Sequence, residues 1–306
     1  MTEPRGPVHL DLPEDVSLAE ASESVPVLVA AVAQAAAFDR EIEAALGILG
    51  QAKRPVAVIG SNAMRMRDPA LLREVVERHN LPFFTTTMAK GMIDEDHPLS
   101  LGCIERSKRK VQRKFIHSAD LIVGLGFDTI EVEYEAWVGG VPVLDIGIEK
   151  PDVDASVVVL ASVVGDLDAS MKQMARHVAC ANLWTREAIA AHRSTFQACL
   201  RPATARFSPH QAIDIVRRVL PREGVLAFDV GAHTHQIASQ WTAHAPRTFL
   251  ITNGWSSMGF GLPAALAAKI ARPDLPVVCV LGDGCFQMTC GELTVARRLG
   301  LSLPVV

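Results

Sequence analysis

"LPVVCVLGDGCFQMTCGELTVARRLG" occupies residues 275–300. An apolar run stops at Gly282-Asp283-Gly284, and the spacing of Phe286, Cys290, Leu293 and Ala296 predicts a helix that begins near Cys285 or Phe286 and buries one face. Strand, glycine turn and helix form the repeating unit of a parallel α/β sheet. Ligands of such sheets sit outside the carboxyl ends of the strands. Gly282 and Gly284 let a ligand approach the backbone closely, and the first N–H groups of the helix favour an anion. Asp283 is a hard oxygen ligand suited to Mg2+. Taken alone, Gly-Asp-Gly also fits a turn whose Asp caps the helix, and for an isolated match that plainer reading leads.

The neighbouring segments change this balance. "FDVGAHTH" (228–235) ends another strand in Val230-Gly231, followed by Ala232 and His233 at a helix start. "NGWSSMGFGLPAA" (253–265) is a glycine-rich approach to a helix with Pro263 near its beginning. Three strand ends carrying small residues, with one acid among them, outline a cleft of cofactor size.

Working outward, the chain divides into 1–37, 38–178, 179–207 and 208–306. In 38–178, "FDREIEAALGILGQA" and "DPALLREVVERHN" read as amphipathic helices, the second with Asp68 as cap and Pro69 at its start, and a further helix is expected around 105–117. "RPVAVIGS", "PFFTTT", "ADLIVGLG" and "VPVLDIG" read as buried strands, "MAKGMIDEDHPLSLG" as a loop, and "SVVGDLDASMKQMARHV" as a closing helix. Residues 179–207 are a looser, polar, helix-like connection. The same rhythm resumes at "SPHQAIDIVRRVL" and ends on "LSLPVV", the start of a strand. "GPVHLDLP" near the beginning reads as a strand without a preceding partner. The expected fold is therefore α/β, two doubly wound parallel-sheet domains with the second truncated at its C-terminal end, and the 306 residues read as the middle of a longer protein.

Composition agrees with a globular, non-membrane chain. It is 49% hydrophobic and 21% charged, with a net charge of −4 that gives no drive toward nucleic acid or anionic lipid. "MTEPRGPVHLDLPEDV" has no apolar core of a signal peptide, and "VPVLVAAVAQAAAF" (25–38) is too short to span a bilayer. Six scattered cysteines in a chain of this size are expected to be reduced thiols of a cytoplasmic protein. Cys285 and Cys290 lack the second Cys or His pair that a zinc site needs.

"DVGAHTHQIASQW", "SSMGFGLPAALAAKIARPDLPVVCVLGDGCFQM" and "GELTVARRLGL" together resemble the diphosphate-binding domain of thiamine-diphosphate enzymes of the acetolactate synthase group. "AKRPVAVIGSNA", "LPFFTTTMAKGMIDEDHPLSLG", "ADLIVGLGFD" and "VVGDLDASM" resemble the central domain of that group, and "RGPVHLDLPEDV" the end of its pyrimidine-binding domain. The resemblance implies thiamine diphosphate and Mg2+ as cofactors, with Asp283 as metal ligand and Gly282, Gly284 and Cys285 lining the same turn. It places Val230, Gly231, Ala232 and His233 against the diphosphate, His233 as a donor; relatives often carry Gln where this chain has Ala232. Met258 would support the bent cofactor, and the carbonyl of Ser256, a position commonly Gly in the family, would accept from its aminopyrimidine.

The implied reaction is decarboxylation of a 2-oxo acid such as pyruvate and transfer of the two-carbon unit to a second 2-oxo acid, the cofactor supplying the chemistry. The family's catalytic glutamate belongs to the pyrimidine-binding domain, and its second Mg2+ ligand follows the strand that "LSLPVV" begins. The 306 residues alone are thus expected neither to bind the cofactor tightly nor to turn over pyruvate, and a homodimer or homotetramer is expected of the full protein. A decarboxylase of the benzoylformate or acyl-CoA type, and a non-catalytic binding or assembly module that keeps the fold, remain as competing readings.

Some relatives hold FAD or ADP in the central domain. "GLGFDTIE" has Thr129 where the third glycine of a dinucleotide fingerprint would stand, and it resembles the flavin-free, catabolic synthases more than the flavin-containing ones, so FAD is not favoured. "RSKRKVQRK" (106–114), with six basic residues in nine, reads first as a solvated helix face, then as an anion site.

Overall fold

The computed structural model describes residues 9–20, 33–104, 107–131 and 137–306. The strand expected across residues 6–13 falls partly outside these; residues 9–13 are not in a strand, and α1 (Glu14–Leu18) follows them. Residues 25–32 of the early apolar stretch and Arg106 of the basic run also lie outside the described residues.

The first α/β unit runs α2 (Asp39–Gln51), β1 (Pro55–Ile59), a 3-10 turn (Ser61–Arg65), α3 (Ala70–Arg78), β2 (Phe83–Thr85), β3 (Ser100–Cys103), α4 (Arg109–Ile116), β4 (Leu121–Leu125), β5 (Val143–Gly147), β6 (Val159–Val164) and α5 (Leu167–Arg176). Its six strands are parallel, in the order β3-β2-β1-β4-β5-β6. β1, β4 and β5 are buried at every position, which is why they read as continuous apolar runs rather than alternating ones. α2 turns Ile42, Ala45, Leu46 and Leu49 into the core, as its spacing predicts, while Phe38 stays exposed. Asp166 caps α5 by accepting from Ala169 N–H at 2.9 Å.

Two strands were not anticipated. The sequence places β3 in a loop because "SLGC" carries little strand signal, and it runs the end of β6, from Ser162, into the following helix because that apolar run adjoins the helix pattern. Both lie at the sheet's edges, where pairing on one side and partial exposure weaken the sequence pattern.

α6 (Arg186–Leu200) fills the expected connection and buries Ile189, Phe196 and Leu200. The second unit runs α7 (Pro209–Val219), β7 (Val225–Phe228), α8 (Thr234–Gln240), β8 (Phe249–Leu250), α9 (Gly261–Ala271), β9 (Val277–Val280), α10 (Asp283–Thr289), a 3-10 turn (Cys290–Glu292) and α11 (Leu293–Leu299). Three parallel strands pair in the order β8-β7-β9. Beside β9, Val306 N–H donates to the Cys279 carbonyl at 2.9 Å and the Val306 carbonyl accepts from Leu281 N–H at 3.0 Å, so the last residues align as the expected strand start.

The helix after the Gly282 turn departs from its sequence reading. It begins at Asp283, not near Cys285, and breaks at Cys290 into two short helices. The break at the Cys290–Glu292 turn resets the phase, so Cys290 is exposed while Cys285 and Ala296 are buried.

A loop of the first unit docks on the second. Lys90 and Glu95 form a buried ion pair, Nζ lying 2.8 Å from each carboxylate oxygen. Glu95 Oε2 also accepts from Ala243 N–H at 2.7 Å, and Glu95 N–H donates to the Ala243 carbonyl at 3.1 Å. Arg222 pairs with Asp94 at 2.7 Å and Asp96 at 2.9 Å at the rim of this joint.

Candidate functional site

β7 leads directly into Asp229, which is fully buried. Asp229 Oδ1 accepts from Val230 N–H and Oδ2 from Gly261 N–H, both at 2.8 Å. One carboxylate therefore locks the end of β7 to the first residue of α9. Gly261 has to be small, because a Cβ there would lie 3.2 Å from Asp229 Cβ and from the carbonyl carbon of Phe228. Sequence reasoning passed over Asp229. The available signal was an acid directly after the buried run "VLAF", a position where a carboxylate needs partners.

Val230, Gly231, Ala232 and His233 carry the chain from Asp229 into α8, with Gly231 and Ala232 exposed. Gly231 holds φ +151°, a value side-chain-bearing residues rarely adopt. The His233 ring stands between two turns: its Cε1 is 2.9 Å from where a Gly231 Cβ would be and 3.8 Å from where a Gly282 Cβ would be. Burial holds its pKa below the ordinary value, leaving the ring neutral near pH 7. His233 Nε2 is buried without a partner among the described residues.

Across from it, Gly282 caps α10 and Asp283 opens it. Asp283 is exposed, and its carboxylate makes no hydrogen bond or ion pair with any described residue. Cys285 is buried behind it, its thiol donating to the Val230 carbonyl at 3.3 Å, so the two turns are joined. Burial raises the Cys285 pKa, which keeps the group a thiol. Met258 Cε sits 3.3 Å from the position of a Gly284 Cβ, bringing the third glycine-rich segment over the same turn. Ser256 is exposed at φ +49°, a left-handed conformation that favours glycine. Of the ten residues singled out from sequence, those around the Gly282–Cys285 turn meet His233, Val230 and Met258; Ser256 lies on a neighbouring cleft wall.

That cleft, of about 320 Å³, separates the two units. Val230, Gly231 and Ser256 line it on one side, Thr87, Arg109 and Glu131 on the other. The Asp283 turn is not among its lining residues and opens to the surface beside it. Burial pushes Glu131 up to about 7, outweighing the hydrogen bonds it accepts from Ser61 and Thr86. Arg109 and Arg113 of α4 line this cleft, while Lys108, Lys110 and Lys114 are exposed, as the solvated helix face expected of the basic run.

The family described as "Thiamine pyrophosphate enzyme, central domain" matches residues 42–174, and "Thiamine pyrophosphate enzyme, C-terminal TPP binding domain" matches 229–306. The chain belongs to the thiamine pyrophosphate enzyme family. Its curated relatives include the acetolactate synthase isozyme 3 large subunit of Escherichia coli K12, 30% identical over 320 residues (98% of this chain, 55% of the relative). The isozyme 1 large subunit of the same organism is 29% identical (98% and 54%), and the probable acetolactate synthase large subunit of Methanococcus aeolicus is 27% identical (98% and 54%). The chain spans about half the length of these relatives. No helix among the described residues is long and apolar enough to cross a membrane.

Proposed function

We propose that this chain is the central and diphosphate-binding portion of a thiamine-diphosphate- and Mg2+-dependent enzyme that decarboxylates a 2-oxo acid and transfers the acyl unit, with pyruvate giving 2-acetolactate. The observation that carries the reading is the turn at Gly282–Cys285, with an unpartnered carboxylate on its outer side and an unpartnered, buried imidazole nitrogen behind it. These residues fit a diphosphate with its cation. Asp283 offers oxygen to Mg2+, Gly231, Gly282 and Gly284 leave the backbone accessible, and His233 Nε2 is free to act as donor. Bound thiamine diphosphate supplies the electron sink that decarboxylation of a 2-oxo acid requires. Asp229 fixes the relative position of Val230 and α9, Met258 covers the Gly284 turn, and the Ser256 carbonyl is the acceptor offered to the aminopyrimidine.

A single side-chain carboxylate is a sparse ligand set for Mg2+. The isolated chain is accordingly proposed to be inactive, and the working assembly to be a homodimer or homotetramer. The acetolactate synthase reading leads because the three relatives named above all carry that activity in their names.

The test is product analysis with pyruvate on the 306 residues and on a polypeptide extended in both directions. 2-Acetolactate from the extended protein alone is expected. Robust acetolactate formation by the 306 residues would overturn the inactivity, and an aldehyde product from the extended protein would favour a decarboxylase. Magnesium-dependent thiamine diphosphate binding that is unchanged in Asp283→Asn would remove Asp283 from the site.

A further inference from the structure

The order β3-β2-β1-β4-β5-β6 reverses between β1 and β4. In open parallel sheets the crevice at that reversal takes the ligand, and N–H groups following the first strand hold its phosphates. Here those N–H groups are already used. Ser61 N–H donates to Glu131 Oε2 at 2.6 Å, Asn62 N–H to the Gly126 carbonyl at 3.0 Å, and Ala63 N–H to the Gly60 carbonyl at 3.0 Å. The second oxygen of Glu131 accepts from Thr86 Oγ1 at 2.8 Å, one residue past β2.

The backbone is closed around this carboxylate. A Cβ on Gly60 would collide with Phe127 Cα, and one on Gly126, at φ +60°, would lie 2.6 Å from Ala63 N. The segment after β4 is thus laid across the end of β1, backbone against backbone, at Gly60 and Gly126. Glu131 bridges three pieces of chain, its own loop, the turn after β1 and the end of β2.

We infer that Glu131 is the built-in acceptor of the first unit: its carboxyl group occupies the position of a ligand phosphate at the turn after β1 and denies that turn to a phosphate group. It is the specificity-determining residue of this strand-order reversal, set where a dinucleotide's phosphates would otherwise meet the first turn. The inference stands apart from the thiamine reading, since none of Val230, His233, Asp283 or Cys285 takes part in it.

The experiment follows the backbone amides of Ser61 and Asn62 by 15N-resolved NMR while inorganic pyrophosphate, and separately ADP, is added to the folded chain at millimolar concentration. In the wild-type chain neither amide shifts saturably. Glu131→Ala uncovers the Ser61 N–H, and pyrophosphate then moves that resonance with an affinity at least about tenfold above wild type. Glu131→Gln, whose side-chain oxygen still accepts from Ser61, stays closed. A saturable shift of Ser61 in the wild-type chain overturns the inference, as does a folded Glu131→Ala variant whose Ser61 ignores both ligands. Should Glu131→Ala fail to fold, the wild-type and Glu131→Gln titrations decide: two silent amides uphold the closure, a response in either refutes it.

Discussion

The two sheets present their carboxyl edges in opposite states. At the edge of the six-stranded sheet, Gly60, Gly126, Ser61 and Glu131 satisfy one another, and the glycines are there because backbone crosses backbone. At the edge of the three-stranded sheet, a Cβ on Gly282 would meet only His233 Cε1 at 3.8 Å, Asp283 faces solvent, and His233 Nε2 has no partner among the described residues. Glycine therefore means two things in one chain, close packing at the first edge and room for a visitor at the second. An edge that leaves polar groups unsatisfied spends stability on readiness to bind; an edge that satisfies its own groups is structural.

The contrast can be broken by substitution, most severely where the two units meet. Glu95→Ala strands a buried Lys90 ammonium and removes the acceptor of Ala243 N–H, and a loss of about 3–5 kcal/mol in chemical denaturation is expected. The paired replacement Lys90→Met with Glu95→Leu should recover most of that loss, because the desolvation of both charges disappears together.

Asp145 in β5 sharpens the picture of the closed sheet through pH. Burial pushes its carboxyl up to about 7 from an ordinary 3.8, against the hydrogen bond that Ser162 Oγ donates to it. A raised folded pKa means that its contribution is fully present at acid pH and is lost as pH rises toward and through about 7. Asp145→Asn should therefore gain stability relative to wild type at pH 8 compared with pH 5, on the order of 2–4 kcal/mol, read from paired melts at the two pH values. His192, which burial lowers to about 4, tilts both proteins equally the other way and cancels in the difference.

The two glycine types give the next test. Gly60→Ala, which drives a methyl into Phe127, should cost about 1–3 kcal/mol. Gly282→Ala should change stability by less than about 0.5 kcal/mol, yet weaken thiamine diphosphate binding by the extended polypeptide. Equal stability effects would erase the distinction drawn between the edges. Asp283→Asn should also be a small change in stability, within about 1 kcal/mol as the loss of an acid from a helix N-terminus, while magnesium-dependent cofactor binding by the extended polypeptide, read by calorimetry, should fall with it.

The buried strands β1, β4, β5, β7 and β9 were legible because a strand covered on both faces writes a continuous apolar run. β3 and β6 were not, since edge strands carry weaker patterns and β6 runs almost directly into its helix. The Asp283 turn was legible from three glycine-flanked strand ends together. Asp229 and Glu131 were not, although each organises a strand end. Their roles depend on N–H groups 32 and 70 residues away, Gly261 for Asp229 and Ser61 for Glu131, and pairing at that distance leaves no local mark.

The docking loop at residues 90–96 bears on how this protein can be recombined with its relatives. Residues 179–207 look like the natural place to exchange one α/β unit for another, because the connection runs there in sequence. In space the boundary lies elsewhere: Glu95 travels with the first unit but completes the main-chain pairing of Ala243 in the second. A chimaera cut in the connection inherits a mismatched seam unless the partner of Glu95 and its surroundings are carried across with it.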